Sequence, residues 1–469
     1  MAFWNRVKPI DSHVGEGGQL KRSLSWPHLV ALGVGAIVGT GIYTLIGIGA
    51  GLAGPGVMIS FAIAGVVCAC AALAYAELAT MMPASGSAYT YAYSALGELL
   101  AWIVGWALIL EYTVVVSAVA VGWSGYAAGF LQSLGINIPQ MIPLGAIGAV
   151  SLHINPLAVF IIAIVAGLLI LGTRESANIN AALVIIKLIA LLAFIAIAAP
   201  HFDAARFSPL MPFGFAAHEE GGRTIGVMAA AAIIFFAFYG FDAVSTAAEE
   251  AKAPGRDLAI GIVGSMLICT ALYMIVAAAA VGAMPFADFA GSDEPLAHIA
   301  RTLGSDTAAL LIAGAAVIAM PTVLLAFLYG QSRIFFVMAR DGLLPRGLGA
   351  VHQKFGTPAV VTIFTAIVCS LLAGLFSLAD IAALANAGTL AAFMAVGVSL
   401  IVLRVREPAR PRPFKAPLPW LVGGLAVFGC LYLFISLPDK TRALFFIWML
   451  IGLPVYFLWG ARKSALASA

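Results

Sequence analysis

Charged residues are scarce in this sequence. Only 24 lysines and arginines and 21 aspartates and glutamates occur among 469 residues, which is 10% of the chain. A soluble protein of ordinary composition carries about 25% charged residues, which cover its surface in water. The shortage excludes a soluble globular enzyme and a disordered chain. A net charge of +3 over this length also excludes a nucleic-acid binder, because no basic face can be assembled from it.

Cysteine and histidine are rare as well. The seven histidines are scattered, most of them in loops or near the ends of apolar runs, which argues against the polar cluster that a membrane enzyme would need. The first 25 residues are polar, and no cleavable signal peptide is expected. Five cysteines lie within apolar runs and are interpreted as small buried hydrophobic residues rather than as metal ligands: Cys68, Cys70, Cys269, Cys369 and Cys430.

Apolar sequence takes up most of the chain instead. Hydrophobic residues make up 62% of it, in continuous runs rather than in the alternating pattern of a membrane β-barrel. A transmembrane helix needs ~20 apolar residues. Twelve such runs predict an all-α integral membrane protein with twelve transmembrane helices. They cover residues 26–52, 57–82, 97–131, 155–172, 179–199, 223–249, 257–284, 304–339, 358–378, 380–403, 417–436 and 441–461.

The basic residues predict the orientation of these segments. With both termini in the cytoplasm, eighteen lysines and arginines fall on the inner side, as the positive-inside rule requires. A basic, proline-rich connector at residues 404–416 is interpreted as an orientation signal at the inner surface. We therefore expect a multi-pass protein of the plasma (inner) membrane. The outer side holds five basic residues: Arg206, Arg223, Arg301, Lys440 and Arg442.

Two of the apolar segments contain glycine where a lipid-facing helix would avoid it. Segment 1 contains Gly33-Val-Gly-Ala-Ile-Val-Gly-Thr-Gly41, and segment 6 contains Phe235-Phe-Ala-Phe-Tyr-Gly240. Unwound backbone at membrane depth is tolerated only where it lines a cavity, and paired breaks in two halves of a chain indicate a transporter site. Segments 1–5 and 6–10 would then form two halves of opposite orientation. For segment 1 alone, close helix packing through Gly35 and Gly39 is the alternative.

Broken helices of this kind suit an amino acid. The outer half of segment 1 begins near Gly41, where free N–H groups and the positive end of the helix dipole favour a carboxylate. The first half of segment 6 ends near Phe236 and Ala237, where unpaired carbonyl groups suit an ammonium group. Phe236, Phe238 and Tyr239 supply aromatic walls.

Two ionisable residues lie deep within predicted spans, where charge is costly and usually functional. Lys187 lies ~12 Å from the inner end of segment 5, so its ammonium group could titrate during a cycle or take the place of a coupling sodium ion. A purely structural tie is the alternative. Glu111 lies at the depth of the first break, where it could carry a proton, face the substrate amine or only hold a neighbouring helix. Asp242 is expected to cap the second half of segment 6.

Four further acidic residues lie near the predicted inner ends of spans, namely Glu77, Glu98, Glu249 and Glu250. They are interpreted as gating or interfacial partners of Lys252, Arg256 and Arg333, and not as substrate ligands.

Several motifs resemble the amino acid–polyamine–organocation superfamily of permeases. They include Gly39-Thr-Gly-Ile-Tyr43, Ala74-Tyr-Ala-Glu-Leu78, Phe235-Phe-Ala-Phe-Tyr-Gly-Phe-Asp242 and Arg333-Ile-Phe-Phe-Val-Met-Ala-Arg-Asp-Gly-Leu-Leu-Pro345. The likeness extends over nearly the whole chain and is greatest to the cationic amino acid transporters and their bacterial relatives. Animal members of that subgroup have fourteen spans rather than twelve, so the substrate range need not follow the name of the subgroup.

The resemblance implies a leucine-transporter-type fold, in which five plus five inverted helices are followed by two more. The first repeat would occupy residues 26–199 and the second 223–403, with a cytoplasmic segment at 1–25 and the last two helices at 417–461. It implies that the substrate is bound by Gly39, Thr40, Gly41, Phe236, Ala237, Tyr239 and Gly240, with Met320 limiting the size of the side chain. It also implies that Lys187 replaces a sodium ion and that Glu111 is the acidic residue of the subgroup.

These features together predict a secondary transporter that imports L-amino acids with protons by alternating access. The side-chain range stays open between cationic and small neutral amino acids. An exchanger, a non-transporting amino acid sensor, a channel and a membrane enzyme are the alternatives. No metal or organic cofactor is expected; the expected partners are the L-amino acid, protons and the lipid bilayer, and a small membrane accessory subunit is left open.

Overall fold

The computed structural model describes residues 6–10, 24–83, 86–139, 141–147, 150–171, 177–248, 251–349 and 359–467, and within them the fold is almost entirely helical. The helices are α1 (Trp26–Ile37), α2 (Thr40–Tyr43), α3 (Leu45–Ala53), α4 (Val57–Met81), α5 (Ser87–Ala95), α6 (Glu98–Ser133), α7 (Pro156–Leu171), α8 (Ala177–Ala198), α9 (Val227–Ile234), α10 (Phe241–Thr246), α11 (Pro254–Ala283), α12 (Phe286–Phe289), α13 (Pro295–Thr302), α14 (Asp306–Ala319), α15 (Pro321–Arg340), α16 (Ala359–Leu375), α17 (Leu378–Arg406), α18 (Pro419–Ile435), α19 (Asp439–Val455) and α20 (Ala461–Lys463).

The long helices have the length and composition that a bilayer demands. Among the described residues, eight helices are long and apolar enough to cross a membrane, and four shorter apolar helices accompany them. Large apolar side chains on the outside of the bundle stay exposed, such as Phe428, Leu311 and Leu458. Lipid is the solvent that matches such a surface. The expectation of an all-α membrane protein is confirmed, and the helix ends lie within a few residues of the predicted ones.

The 36-residue helix α6 lies at the centre of the bundle, and most of its residues are buried. It packs against α5, α7, α14, α15, α16 and α17. Helix α1 packs on α8, α10 and α11, and α4 packs on α9, α11 and α18. The five cysteines are free and buried within this packing, as predicted.

A proline bends the join between α14 and α15. Pro321 begins α15 and has no N–H group, so the carbonyl of Val317 loses its helical partner. The indole nitrogen of Trp123 on α6 donates to that carbonyl at 2.8 Å. The join is therefore a stable feature, with its free backbone group satisfied by the central helix.

Two small hairpins form between the long helices, and the second takes in the first three residues of the predicted run 223–249. Strand β1 (Ile142–Ile147) pairs antiparallel with β2 (Val150–Ile154), with an irregularity in register between Pro143 and Gly145. Strand β3 (His218–Glu220) pairs antiparallel with β4 (Arg223–Ile225). The apolar runs do not predict these hairpins, because local backbone pairing defines them rather than a repeat of apolar side chains.

Buried ion pairs hold the basic connector and the N-terminal residues against the ends of two long helices. Glu77 at the end of α4 accepts from Arg404 at 2.6 Å and from Arg412 at 3.0 Å, and Glu98 at the start of α6 pairs with Arg6 at 3.0 Å. The predicted partners Lys252, Arg256 and Arg333 are wrong for Glu77 and Glu98. The connector and the N-terminal residues fold back onto these two carboxylates and supply the arginines instead. Glu249 and Glu250, grouped with them, lie outside the described residues.

Candidate functional site

The two predicted breaks are both present, and they lie against each other. A Cβ atom added to Gly41 would overlap the backbone of Ala237. One added to Gly240 would lie 2.6 Å from the carbonyl carbon of Ala36. Only glycine permits this approach, so the two interrupted helices are fitted together backbone to backbone.

The first break separates α1 from α2. Helix α1 ends at Ile37, Val38 is extended with φ −75° and ψ 100°, and α2 starts at Thr40. The first N–H groups of a helix have no partner within it, so the start of α2 offers donors at this depth. The expectation of a broken segment 1 is thereby confirmed. Close packing through glycine also occurs, since a Cβ on Gly33 would collide with Ser265.

The second break separates α9 from α10. Helix α9 ends at Ile234, a single 3₁₀ turn covers Phe235–Phe238, and Gly240 is left-handed with φ +113°. Gly240, not Asp242, occupies the capping position of α10. Asp242 lies in the first turn instead, where its carboxylate accepts from the Gly240 N–H at 3.1 Å and from the Tyr112 hydroxyl at 3.3 Å. The prediction that Asp242 is the cap is therefore wrong by two residues.

A small cavity of about 10 Å³, enough for one water molecule, lies between the breaks, and most of its side chains are apolar. Five of the predicted substrate residues line it, namely Gly39, Thr40, Gly41, Phe236 and Tyr239. The other residues of the lining are Ala36, Ile37, Val115, Val119, Val323 and Phe327.

The remaining predicted substrate residues lie beside the cavity rather than in its lining. Ala237 and Gly240 form the backbone contacts between the breaks. Met320 is buried, and its sulfur lies 3.8 Å from the Thr40 hydroxyl. It therefore reaches the site through Thr40.

Lys187 is fully buried and is bonded to the first break. Its Nζ donates to the Gly35 carbonyl at 2.7 Å and to the Thr322 hydroxyl at 2.9 Å. The hydroxyl of Tyr43, at the end of α2, donates to the Lys187 carbonyl at 3.1 Å. The lysine therefore contacts both sides of the break, and Thr322 is a partner that the sequence did not single out.

Glu111 is buried on α6 and does not line the cavity. Within the part of the chain that the structure describes, neither carboxylate oxygen has a hydrogen-bond partner. Gly388 of α17 packs against it, because a Cβ at that position would lie 3.2 Å from the Glu111 Cβ. The carboxylate of Glu111 is thus enclosed by protein. It lies one turn of α6 away from Val115, which belongs to the apolar lining of the cavity.

Comparison with known proteins decides the family. A profile of the amino acid permease family matches residues 24–457. The chain belongs to this family. It is thus an amino acid permease of the amino acid–polyamine–organocation superfamily, a multi-pass membrane transporter and not an enzyme.

Two relatives of this permease are similar over nearly their whole length, and a third over somewhat less than two thirds of its own. It is 47% identical over 449 residues to the branched-chain amino acid permease BcaP of Bacillus subtilis (strain 168), covering 95% of each chain. It is 39% identical over 465 residues to the methylthioribose transporter of the same organism, covering 98% of each chain. The vacuolar cationic amino acid transporter 2 of Arabidopsis thaliana is 37% identical over 408 residues, or 86% of this chain and 63% of that one.

The apolar wall of the permease cavity was missed at the sequence level, although a signal for it exists. Val115 and Val119 follow Glu111 at successive intervals of four residues, so all three share one face of α6. Val323 and Phe327 have the same spacing on α15. In a chain that is 62% hydrophobic, however, such stripes recur on every helix, and only the breaks indicate which of them face a cavity.

Proposed function

We propose that this permease imports neutral L-amino acids with branched apolar side chains, together with protons. The observation that carries the proposal is the cavity between two helix breaks. Both breaks contribute residues to it, and the facing wall is apolar, formed by Val115, Val119, Val323 and Phe327. Backbone donors and acceptors suit the amino and carboxylate groups common to all amino acids, and the apolar wall suits the side chain.

The composition of the wall favours a neutral substrate over a cationic one. A guanidinium or ammonium side chain of a substrate is costly to remove from water, and a carboxylate partner offsets that cost best. The lining, among the described residues, contains no acidic side chain, and Glu111 lies outside it. The relative that is 47% identical is named as a branched-chain amino acid permease, which agrees with the same choice.

We infer a twelve-span architecture with inverted five-helix repeats. Counting α1–α3, α9 with α10, and α14 with α15 as one span each brings the long apolar helices to twelve. Residues 26–199 and 223–403 would be the repeats, and 417–461 the last two spans. Support comes from the opposed breaks in the first span of each repeat, and the basic residues favour cytoplasmic termini in the plasma membrane.

Proton coupling is assigned to Lys187, with Glu111 as a second candidate. A buried ammonium group bonded to the carbonyl end of a broken helix stabilises that end most strongly while it is charged. Loss of its proton would leave the Gly35 carbonyl with a weaker partner and would favour rearrangement of the break. The lysine thus supplies, in place of a sodium ion, a link between proton binding and the conformation of the site.

Purified protein in liposomes tests the proposal. A panel of twenty amino acids and methylthioribose is screened for thermal stabilisation at two pH values, and the best solutes are then assayed for uptake driven by an inward proton gradient. Leucine, isoleucine and valine are expected to stabilise most and to accumulate. Preference for arginine or methylthioribose would overturn the substrate assignment. Counterflow without gradient-driven accumulation would indicate an exchanger, and stabilisation without any flux would indicate a sensor.

A further inference from the structure

One buried amide holds the second break from outside the cavity. Asn386 lies on α17, is fully buried and is absent from the cavity lining. Its helix packs against α9 and against the 3₁₀ turn Phe235–Phe238. It is therefore placed to act on the break without touching a bound substrate.

The hydrogen bonds of Asn386 fix the direction of its amide. Its Nδ2 donates to the carbonyls of Ala232 and of Ile233, the latter at 2.9 Å. Its Oδ1 accepts from the Tyr239 hydroxyl. Carbonyl groups can only accept, so the NH₂ group must face α9 and the oxygen must face the tyrosine.

Helix α9 needs such a partner because its last carbonyls lose the N–H groups of the next turn when the helix stops. Lipid cannot replace them, so a neighbouring helix or an ordered water must supply the donors. Asn386 supplies two donors there, and its acceptor simultaneously holds a residue of the lining. The Tyr239 ring is fixed as well, by edge and tilted contacts with Phe235 at 5.7 Å and Phe236 at 5.1 Å between centroids.

Lys187 has the corresponding position at the first break. It bonds to Gly35, two residues before α1 ends at Ile37, and Asn386 bonds to Ala232, two residues before α9 ends at Ile234. Each donor comes from the fifth span when the broken span is counted as the first, α8 in one case and α17 in the other. The same task is thus done once by a charged side chain and once by a neutral one.

We propose that Asn386 is a positioning residue for substrate binding, the neutral counterpart of Lys187, which holds the second break in shape and presents Tyr239 to the cavity. The inference rests on the proposed function of that cavity. It requires that loss of the amide weakens substrate affinity through Tyr239, without removing any group that lines the site.

A double-mutant cycle tests the proposal. Leucine uptake is measured in proteoliposomes for wild type, Asn386→Leu, Tyr239→Phe and the double variant. Each single variant is expected to raise KM about tenfold, the size of one lost hydrogen bond, and the double variant no more than Asn386→Leu alone. Asn386→Asp retains shape and the acceptor for Tyr239, so its KM should lie between those of wild type and Asn386→Leu.

The matched control is Asn155→Leu. Asn155 is equally buried, but it bonds to the Ser124 hydroxyl at 2.7 Å and to the Ala158 N–H at 3.0 Å, away from the cavity. The KM of Asn155→Leu for leucine should stay at the wild-type value even if this variant is less stable. Unchanged KM in Asn386→Leu, or additive effects in the double variant, would overturn the positioning role.

Two further outcomes have distinct meanings. If Asn386→Leu does not fold, the comparison of Asn386→Asp with Asn155→Leu decides, and an unchanged KM in Asn386→Asp counts against the proposal. If wild-type protein carries no amino acid, the proposed function fails rather than the positioning role. The cycle is then repeated with the panel solute that the protein does carry.

Discussion

The first and second breaks are alike in position and different in chemistry. Each interrupts an apolar helix beside a glycine, Gly39 in one case and Gly240 in the other, and residues of both line one cavity. At the first break the carbonyl end is held by the ammonium group of Lys187, and at the second by the amide of Asn386. An ammonium group can lose a proton and an amide cannot, so only the first break can respond to pH through its donor.

Under the proposed function, this difference would let one site both bind and couple. The second break would supply a constant half of the cavity, in which Tyr239 is fixed by a neutral hydrogen bond. The first break would supply the variable half if its stability depends on the charge of Lys187, as we propose. Proton coupling would then not require a titratable group in the substrate lining.

Removing the glycine contact between the breaks should have the largest effect. Gly41→Ala places a Cβ against the Ala237 backbone, and the overlap should cost about 1–3 kcal/mol of stability and abolish leucine uptake. Melting temperature and proteoliposome uptake measure the two effects. The control is Gly167→Ala on α7, where a new Cβ meets nothing within 4 Å. Normal uptake by Gly41→Ala would mean that the breaks separate during transport more easily than their packing indicates.

The second-largest effect is expected from replacing Lys187, the charged donor at the first break. Lys187→Ala is expected to abolish pH-dependent, gradient-driven uptake while leucine binding persists, because the Gly35 carbonyl loses its titratable partner and the lining is untouched. Uptake at several pH values and thermal stabilisation by leucine measure coupling and binding separately.

The control for this charge removal is Lys440→Ala. Lys440 is exposed and lies 3.7 Å from Asp380, so its loss should leave both measurements unchanged. Proton-driven uptake that survives intact in Lys187→Ala would remove the contrast between the breaks and leave the lysine as a structural tie.

The sequence was sufficient for those features whose physical signal is local. Apolar runs set the helix boundaries, Gly41 and Gly240 identified the breaks, and the depth of Lys187 in an apolar segment marked it as unusual. Each of these depends on the cost of charge or of unpaired backbone in lipid, which a single segment already displays.

Features that arise from contacts between distant segments could not be predicted in the same way. Asn386 is one polar residue among small ones on α17, and nothing in its neighbours indicates that it faces α9. Thr322 was hidden for the same reason. The partners of Glu77 lie more than 300 residues away, and only the fold brings Arg404 and Arg412 to it.

A smaller effect is expected from the apolar wall, which both breaks share. Val323→Ala removes two methyl groups from the lining and should weaken discrimination among leucine, isoleucine and valine by about tenfold. Competition against labelled leucine uptake measures it. Val360→Ala on α16 makes the same chemical change at an exposed position and should leave the selectivity unchanged. A Val323→Ala variant with wild-type selectivity would show that the side chain binds elsewhere.

The smallest change tests whether the pH response belongs to the first break alone. Glu111→Gln preserves shape and burial but removes a carboxylate that has no hydrogen-bond partner among the described residues. If Lys187 is the only coupling group, uptake should still rise with the proton gradient and only the pH dependence of KM should shift. Glu219→Gln on the exposed hairpin serves as the control. Loss of gradient-driven uptake in Glu111→Gln would assign a second titratable group to coupling. That group lies against α17, the helix that holds the second break. The division of the cavity into a variable first half and a constant second half would then fail.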